Sequence, residues 1–211
     1  MVVKGQVLTG GRGKAGAIKV VSSVPEAQAA AEKIIGMTVK DLPVNKVLIS
    51  QRINIASEYY LGVTIDREAE SIVLILSAAG GVEIEEVAAT DPEKMRRFTL
   101  TADPSSDTLK AWLAESFPDS DHLNQALPIV TAMNTLFREK DCSLVEINPL
   151  AVTAEGQLVA ADAKVVLDDN AVPFHPDLAE LRNDEEYTAD EIEAKAAGLS
   201  FVSLEGEIGC M

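Results

Sequence analysis

Apolar and polar residues alternate near the start of the chain as they do in half-buried strands. The alternation runs from Val2 to Leu8, is interrupted by four glycines between Gly10 and Gly16, and resumes from Ala17 to Val21. Glycines between two strand patterns are typical of a turn or a binding loop. The pattern therefore predicts strand, glycine loop and strand.

Strand and helix patterns then follow one another along the chain. Ser23 and Glu26 have the spacing of a capping box and Gly36 is a natural stop, so a helix is predicted between them. We expect Pro118 and Pro128 to end helical segments. Strand patterns occur in KVLISQRI, YYLGVTID, ESIVLILSA, SLVEINPLAVT and QLVAADAKVVL, and helical spacing occurs in Leu109 to Glu115, Ile129 to Glu139 and DEEYTADEIEAKAAG, which Gly198 closes. The alternation predicts an α+β architecture with a mostly antiparallel sheet, in two lobes that meet between residues 60 and 100.

Composition and charge narrow the class of protein. A chain of 211 residues with 47% hydrophobic residues can bury a substantial core, and no stretch approaches the length of a membrane span. The net charge of −16 argues against nucleic acids and anionic membranes as partners, because most of the surface would repel them. Four basic residues nevertheless precede the first acidic one: Lys4, Arg12, Lys14 and Lys19. The positive end of an acidic protein thus contains the glycine loop.

The two cysteines, Cys142 and Cys210, do not form a zinc-binding or disulfide pattern. Their arrangement fits a reducing compartment, which is the bacterial cytoplasm or the mitochondrial matrix.

The glycine loop can be compared with three kinds of phosphate-binding loop. Leu8 and Ala15 stand where a Walker A loop needs a glycine and a hydroxyl. A dinucleotide loop leads into a helix, whereas AIKVV after Gly16 has a strand pattern. A glycine hairpin that covers phosphates with its backbone N–H groups fits both flanks, with Gly11 and Gly13 allowing close approach and Arg12 adding charge. An ordinary glycine turn is the alternative.

A second candidate element is the hairpin predicted in SLVEINPLAVTAEGQLVAADAK. If residues 154–156 form a three-residue loop with Gly156 in the left-handed conformation, Asn148 lies opposite Asp162. Glu146 then shares that face and lies opposite Lys164. Asn and Asp oxygens at cross-strand distance are suitable magnesium ligands. A solvated sheet face with a Glu–Lys pair is the alternative, and a two-residue loop would place Asn148 and Asp162 on opposite faces.

Four stretches of the sequence together resemble one known family. They are VVKGQVLTGGRGKAGAIKV, GGVEIEEVA, EINPLAV and LVAADAKVVLDDNA. In this order they are similar to the nucleotide-binding ATP-grasp region of the β subunit of succinate–CoA ligase and its acid–thiol ligase relatives, and the resemblance runs from Val2 to Met211. It implies an α+β ATP-grasp fold whose first lobe is incomplete, with approximate lobes at residues 1–60 and 61–195. Residues 196–211 would begin a linker to an absent C-terminal CoA-ligase domain.

The resemblance also implies roles for individual residues. Glu146 matches a catalytic glutamate that lies near a phosphohistidine, and Asn148 and Asp162 match two magnesium ligands, in agreement with the hairpin count. The nucleotide contacts implied by the match are Lys4, Gly11, Arg12, Gly13 and Glu58. The chain departs from the family in the hinge strand, where Ser50, Gln51 and Arg52 replace its glutamate-containing motif, and Ile53 stands at a nearby nucleotide contact of the family. This departure leaves both ATP/ADP and GTP/GDP open as the nucleotide.

The function implied is reversible phosphoryl transfer during acyl-CoA formation. The cofactors would be Mg²⁺ and the nucleotide, with CoA in the full enzyme, and the partner would be an α subunit that carries the phosphohistidine in a hetero-oligomer. Two alternatives stay open. One is a subunit specific for citrate or malate, and the other is a nucleotide-binding or assembly module without activity of its own.

Overall fold

The computed structural model describes residues 1–7, 9–82, 84–101, 106–181 and 187–201. These residues fall into two compact units, Met1–Leu167 and Asp168–Met211. Three sequence predictions reach beyond the described residues, namely the end of the first strand at Leu8, the start of the acidic helix at residues 184–186, and most of the linker at residues 196–211.

The first part of the larger unit forms a small antiparallel sheet with one helix on it. Its elements are β1 (Val2–Gln6), β2 (Ile18–Val20), α1 (Val24–Ile34), β3 (Thr38–Val39), β4 (Leu42–Pro43) and β5 (Lys46–Ser50). β1 lies between β2 and β5 and pairs with both in antiparallel orientation. The predicted strand, glycine loop and strand are therefore confirmed. Val3, Ile34 and Val44 are fully buried between the sheet and α1 and form the centre of this core.

Helix α1 begins and ends at the predicted residues. The Ser23 hydroxyl accepts a hydrogen bond from the Glu26 N–H at 3.3 Å, and Gly36 has φ +85° after the last turn. The Glu26 carboxylate accepts from the Ser22 N–H at 2.9 Å, one residue before the position that a capping box uses. The hydrogen bond to the Ser23 hydroxyl is therefore the predicted one, whereas the Glu26 carboxylate binds the N–H of Ser22 and not that of Ser23.

A larger antiparallel sheet forms the rest of this unit. Its elements are β6 (Ile55–Asp66), β7 (Ser71–Ser77), α2 (Ile84–Thr90), β8 (Arg96–Leu100), α3 (Ser106–Ala114), α4 (Ser120–Glu139), β9 (Cys142–Thr153), β10 (Leu158–Ala160) and β11 (Ala163–Leu167). The order is β10-β9-β6-β7-β8, and β11 also pairs with β9. β6 and β7 are joined by a turn at residues 67–70. In the described part of the chain, all strand pairs are antiparallel, as predicted.

Two sequence predictions about this sheet and its helices are wrong in part. Pro128 does not end a helix, because α4 runs through it. Ala126, Val130 and Phe137 of α4 are buried against the sheet, which stabilises the helix on both sides of the proline. Pro128 itself lies on the exposed face of α4, so the helix carbonyl group that lacks a partner because proline has no N–H can bind water. The predicted strand over QLVAADAKVVL is divided into β10 and β11 by Ala161 and Asp162.

The register of the β9 hairpin is the one that the sequence predicts. The Thr153 N–H donates to the Gln157 carbonyl at 2.8 Å, and Gly156 has φ +80°. Lys164 lies opposite Glu146, and the Asn148 N–H donates to the Asp162 carbonyl at 3.1 Å. The hairpin has the predicted three-residue loop.

The second unit contains two short 3₁₀ helices and one α-helix among its described residues. The 3₁₀ helices are Val172–Phe174 and Pro176–Leu181, and α5 is Ala189–Ala196. Thr188 and Glu191 form a complete capping box at the start of α5, and Gly198 has φ +75° after its end. Across the described residues, no helix combines the length and apolar character that a membrane span requires.

Candidate functional site

The basic end of the chain contacts the β9 hairpin. Lys4 projects from β1, and its Nζ donates to the Ala161 carbonyl at 2.7 Å. The Arg12 guanidinium forms an ion pair with the Asp162 carboxylate. Lys14, two residues later in the glycine loop, lies 3.6 Å from the Glu86 carboxylate on α2. Three of the four N-terminal cations therefore contact the second part of the larger unit, two of them at the residues between β10 and β11 and one on α2.

Two glycines shape the glycine loop. Gly11 and Gly16 have φ of +81° and +77°, a conformation that costs other residues more than it costs glycine. The loop closes on itself through the N–H groups of Ala15 and Ala17, which donate to the Gly11 and Arg12 carbonyls. Among the described residues, the N–H groups of Arg12 and Gly13 have no backbone acceptor. The tip of the loop can therefore donate to a ligand.

Asn148 lies on the same face of the hairpin as Asp162, and its side chain is held by a second glycine loop. Its Oδ1 accepts from the Gly81 N–H at 2.8 Å, and its Nδ2 donates to the Val82 carbonyl at 2.9 Å. A carboxamide oxygen has two lone pairs, so Oδ1 retains capacity for a further ligand. The amide of Asn148 is therefore oriented before any ligand binds.

The second glycine loop, Gly80 and Gly81, packs against the start of β6. A Cβ atom on Gly80 would lie 2.5 Å from the Tyr59 carbonyl oxygen, and one on Gly81 would overlap a Glu58 carboxylate oxygen. Gly81 also has φ +73°. Both positions thus require glycine, and Glu58 lies directly beside this loop. Sequence analysis used GGVEIEEVA only as one of the stretches that resemble a known family. The two adjacent glycines in it were the signal from which this close contact could have been predicted.

Glu146 lies in the middle of the larger sheet, between Gly62 on β6 and Lys164 on β11. Its carboxylate accepts from the Tyr60 hydroxyl at 3.4 Å. Gly62 makes this contact possible, because a Cβ atom there would lie 2.5 Å from the Tyr60 hydroxyl oxygen. Sequence reasoning did not identify Tyr60, although YYLG places a tyrosine two residues before the glycine.

Burial and charge shift the pKa values of this pair. Burial raises the pKa of Glu146 above the usual value, and the nearby carboxylates of Glu85 and Asp162 act in the same direction, whereas Lys164 and the Tyr60 hydroxyl oppose the shift. Burial, followed by the Glu146 carboxylate, raises the pKa of Tyr60. Tyr60 therefore remains a protonated donor over the physiological range of pH.

The structure brings most of the predicted site residues into one region. Arg12 and Lys4 contact Asp162 and its neighbour, and Asn148 lies across the hairpin from Asp162. Glu58 lies beside Gly81, whose N–H donates to the Asn148 side chain. Among the described residues, no group of three or more His, Cys, Asp or Glu side chains could hold a metal ion. A metal at Asn148 and Asp162 would therefore need ligands from a bound molecule.

Comparison with known proteins identifies the family of the chain. A family model described as an ATP-grasp domain matches residues 1–152. The chain belongs to the ATP-grasp family. The α+β ATP-grasp fold expected from the sequence is thereby confirmed, and the glycine hairpin and most of the larger sheet lie within the matched region.

Curated relatives of this ATP-grasp chain are β subunits of succinate–CoA ligases. The chain is 47% identical over 216 residues to the ADP-forming subunit of Bacteroides thetaiotaomicron, which covers 100% of this chain and 57% of the relative. It is 44% identical over 210 residues to the GDP-forming subunit of Thermus thermophilus, covering 99% of this chain and 56% of the relative. The chain thus spans just over half the length of these relatives.

Solved structures with the same fold are more distant in sequence. ATP citrate lyase from Methanothrix soehngenii, in complex with citrate and coenzyme A, superposes with a TM-score of 0.68 at 22% identity, covering 92% of this chain and 46% of that chain. The D541A mutant of the Methanosaeta concilii enzyme gives 0.67 at 19% identity, covering 92% and 45%. These structures support the fold of the chain.

Proposed function

We propose that this chain is the nucleotide-binding part of an acid–CoA ligase of the succinate–CoA ligase type, and that it binds Mg-ATP or Mg-GTP for reversible phosphoryl transfer. The observation that carries the proposal is the meeting of the basic glycine hairpin with the oxygen-bearing face of the β9 hairpin, through Arg12 and Asp162. Membership of the ATP-grasp family and the identity to succinate–CoA ligase β subunits support it.

The donor set at the β9 hairpin fits magnesium. Asn148 on β9 supplies one carboxamide oxygen. Asp162 lies opposite it, between β10 and β11, and supplies one carboxylate. Magnesium in proteins takes one or two carboxylates and completes its coordination with water and substrate phosphates. Asn148 and Asp162 would hold the ion, which when bound neutralises charge on the phosphates.

The remaining residues would bind and orient the nucleotide. The N–H groups of Arg12 and Gly13 and the ammonium of Lys4 would donate to phosphate oxygens and offset charge on the transferred group. Glu58, beside the Gly81 loop, would contact the nucleotide. Glu146, which Tyr60 orients, would accept a hydrogen bond from the imidazole of a histidine on a partner α subunit, and that histidine would take the phosphoryl group.

The full enzyme would use this nucleotide half together with parts that bind the acid and CoA. The phosphohistidine would pass its phosphoryl group to the carboxylate of the acid, and the thiol of CoA would then displace inorganic phosphate from the acyl phosphate to give the thioester. A reducing compartment, the bacterial cytoplasm or the mitochondrial matrix, fits Cys142, a buried free thiol.

Isothermal titration of the chain with Mg-ATP and with Mg-GTP tests the proposal. We expect saturable binding of at least one of the two, and a loss of affinity of about tenfold or more in Asp162→Ala, since a metal ligand is removed. Lys94→Ala is a suitable control, because Lys94 pairs with Asp91 on the surface and contacts none of the proposed site residues. Absence of binding by the folded wild-type chain would refute the proposal and favour an assembly module.

A further inference from the structure

The Arg12–Asp162 ion pair joins two residues that are 150 positions apart in the chain. The two side chains are only 18% and 30% exposed, so solvent screens their interaction less than it screens a surface pair. Arg12 lies between Gly11 and Gly13 in the glycine loop, whereas Asp162 is fixed between β10 and β11. The proposed metal ligand is thus already neutralised by a cation of the protein itself.

We propose that Arg12 makes the site selective for a metal–nucleotide complex over the free metal ion, by occupying Asp162 until a phosphate group takes Arg12 away. This inference rests on the proposed function. It assigns Arg12 a role in determining specificity that is additional to contact with phosphate.

A free divalent ion would bind poorly to the closed pair. It would have to displace the guanidinium from Asp162 and leave Arg12 charged, partly buried and without an anion, which is costly. Magnesium also loses its own water reluctantly, and one carboxylate and one carboxamide repay little of that cost. Only molecules in which the Arg12–Asp162 pair is open can bind the free ion. The apparent affinity for the free ion is therefore the intrinsic affinity multiplied by the open fraction.

A nucleotide removes this obstacle because its phosphates are a replacement anion. A guanidinium group can bind phosphate oxygens in the same bidentate manner in which it binds a carboxylate. One ion pair, Arg12 with Asp162, is then exchanged for two favourable contacts, Arg12 with phosphate and Asp162 with the metal ion. Metal and nucleotide consequently bind with positive coupling.

The neighbouring cations are arranged differently. Lys4 donates to a neutral carbonyl, that of Ala161, so its departure exposes no carboxylate. Lys14 pairs with Glu86 at 3.6 Å, and both side chains are well exposed, at 72% and 66%. Of the cations in the described residues, Arg12 is the one that forms an ion pair with Asp162.

Binding of Mn²⁺ alone, followed by electron paramagnetic resonance on the nucleotide-free chain, tests the inference. We expect Arg12→Gln to bind free Mn²⁺ roughly five- to tenfold more tightly than the wild-type chain. Lys14→Gln makes the same change in net charge and should stay within about twofold of wild type, since exposed charges at that distance are screened. Arg12→Lys retains a cation at the position and should bind Mn²⁺ nearly as weakly as wild type.

Titration of the same variants with Mg-ATP should change the affinity in the opposite direction. Arg12→Gln should bind Mg-ATP about tenfold more weakly, because the phosphates lose a cation, whereas general damage to the fold would weaken both ligands. Adding Asp162→Asn to Arg12→Gln should abolish the gain in Mn²⁺ affinity.

The inference is overturned if Arg12→Gln binds free Mn²⁺ no more tightly than wild type, or if Lys14→Gln shows an equal gain. Failure of the proposed function looks different. In that case the wild-type chain binds no Mg-nucleotide, while a gain in Mn²⁺ affinity that depends on Asp162 would still support Arg12 as the block on that carboxylate.

Discussion

Glu146 is the residue at which burial most directly affects charge in the candidate site. Its carboxylate faces Lys164 and the Tyr60 hydroxyl, yet burial dominates and raises its pKa. A carboxyl group with a raised pKa in the folded state binds its proton more readily there than in the unfolded chain. Its contribution to stability is therefore present at low pH and is lost as the pH rises through the folded-state pKa.

This shift predicts a difference between the wild-type chain and Glu146→Gln. The free energy of unfolding of the wild type, relative to that of the variant, should fall as the pH rises from about 4 through the raised pKa, and should level off above it. Urea unfolding at a series of pH values measures both proteins under the same conditions. A relative stability that stays constant or increases over this range would show that Glu146 is not destabilised in its charged form.

Any side chain at Gly80 is predicted to destabilise the fold, because backbone, and not a flexible side chain, occupies the space beside this residue. A Cβ atom would lie 2.5 Å from the Tyr59 carbonyl oxygen. We expect Gly80→Ala to lower the free energy of unfolding by about 1–3 kcal/mol, measured by urea denaturation. Gly10→Ala is the matched control, since nothing lies within 4 Å of a Cβ atom there. Equal stability of the two variants would contradict this account of the second glycine loop.

At the scale of elements, Gln125 on α4 holds the turn of the β9 hairpin. Its Nε2 donates to the Gly156 carbonyl at 3.0 Å, and its Oε1 accepts from the Leu158 N–H at 2.9 Å. These bonds satisfy a donor and an acceptor of the loop that sets the register of Asn148 and Asp162. Helix α4 therefore fixes the turn of the β9 hairpin. The proposed metal ligands lie farther along the same hairpin.

Removal of this clamp should weaken the fold measurably. Gln125→Ala is expected to lower the free energy of unfolding by about 1–3 kcal/mol, because two partly buried backbone groups lose their partner. Gln28→Ala in α1 removes a surface contact with Glu32 at 3.0 Å and should cost no more than about 0.5 kcal/mol. If thermal or urea unfolding shows no difference between the variants, the clamp contributes nothing to hairpin stability.

Local rules were sufficient to predict the elements whose geometry is set locally. The loop of residues 154–156 fixes the pairing of Asn148 with Asp162, because loop length and Gly156 determine the register within a few residues. Pro128 could not be predicted in this way. Its place inside α4 depends on the burial of Ala126 and Val130 against a sheet formed by distant parts of the chain.

At the scale of the whole molecule, the candidate site depends on contacts between segments that are far apart in sequence. Asn148 binds the Gly81 loop, and Arg12 reaches Asp162, across 67 and 150 residues respectively. Spacing along the chain carries no information about such contacts. The residues that sequence analysis missed, Tyr60 and Gly62, are likewise defined by what packs against them in three dimensions.

Activity in the proposed mechanism requires a second chain. The phosphoryl group would pass to a histidine on a partner subunit. We therefore expect the chain alone, assayed with a carboxylic acid, CoA and Mg-ATP, to form no thioester. Measurable thioester synthesis without a partner would contradict the proposed division of the reaction between two chains.

A crystal structure of the chain with Mg²⁺ and a non-hydrolysable ATP or GTP analogue would test the proposed nucleotide site directly. We expect the phosphates to lie between Gly11–Gly13 and the β9 hairpin, with the metal ion bound by Asn148 and Asp162. We also expect the Arg12 guanidinium to have moved from Asp162 to a phosphate oxygen. A nucleotide bound elsewhere, or one bound here with Asp162 remote from the metal ion, would contradict the proposed site.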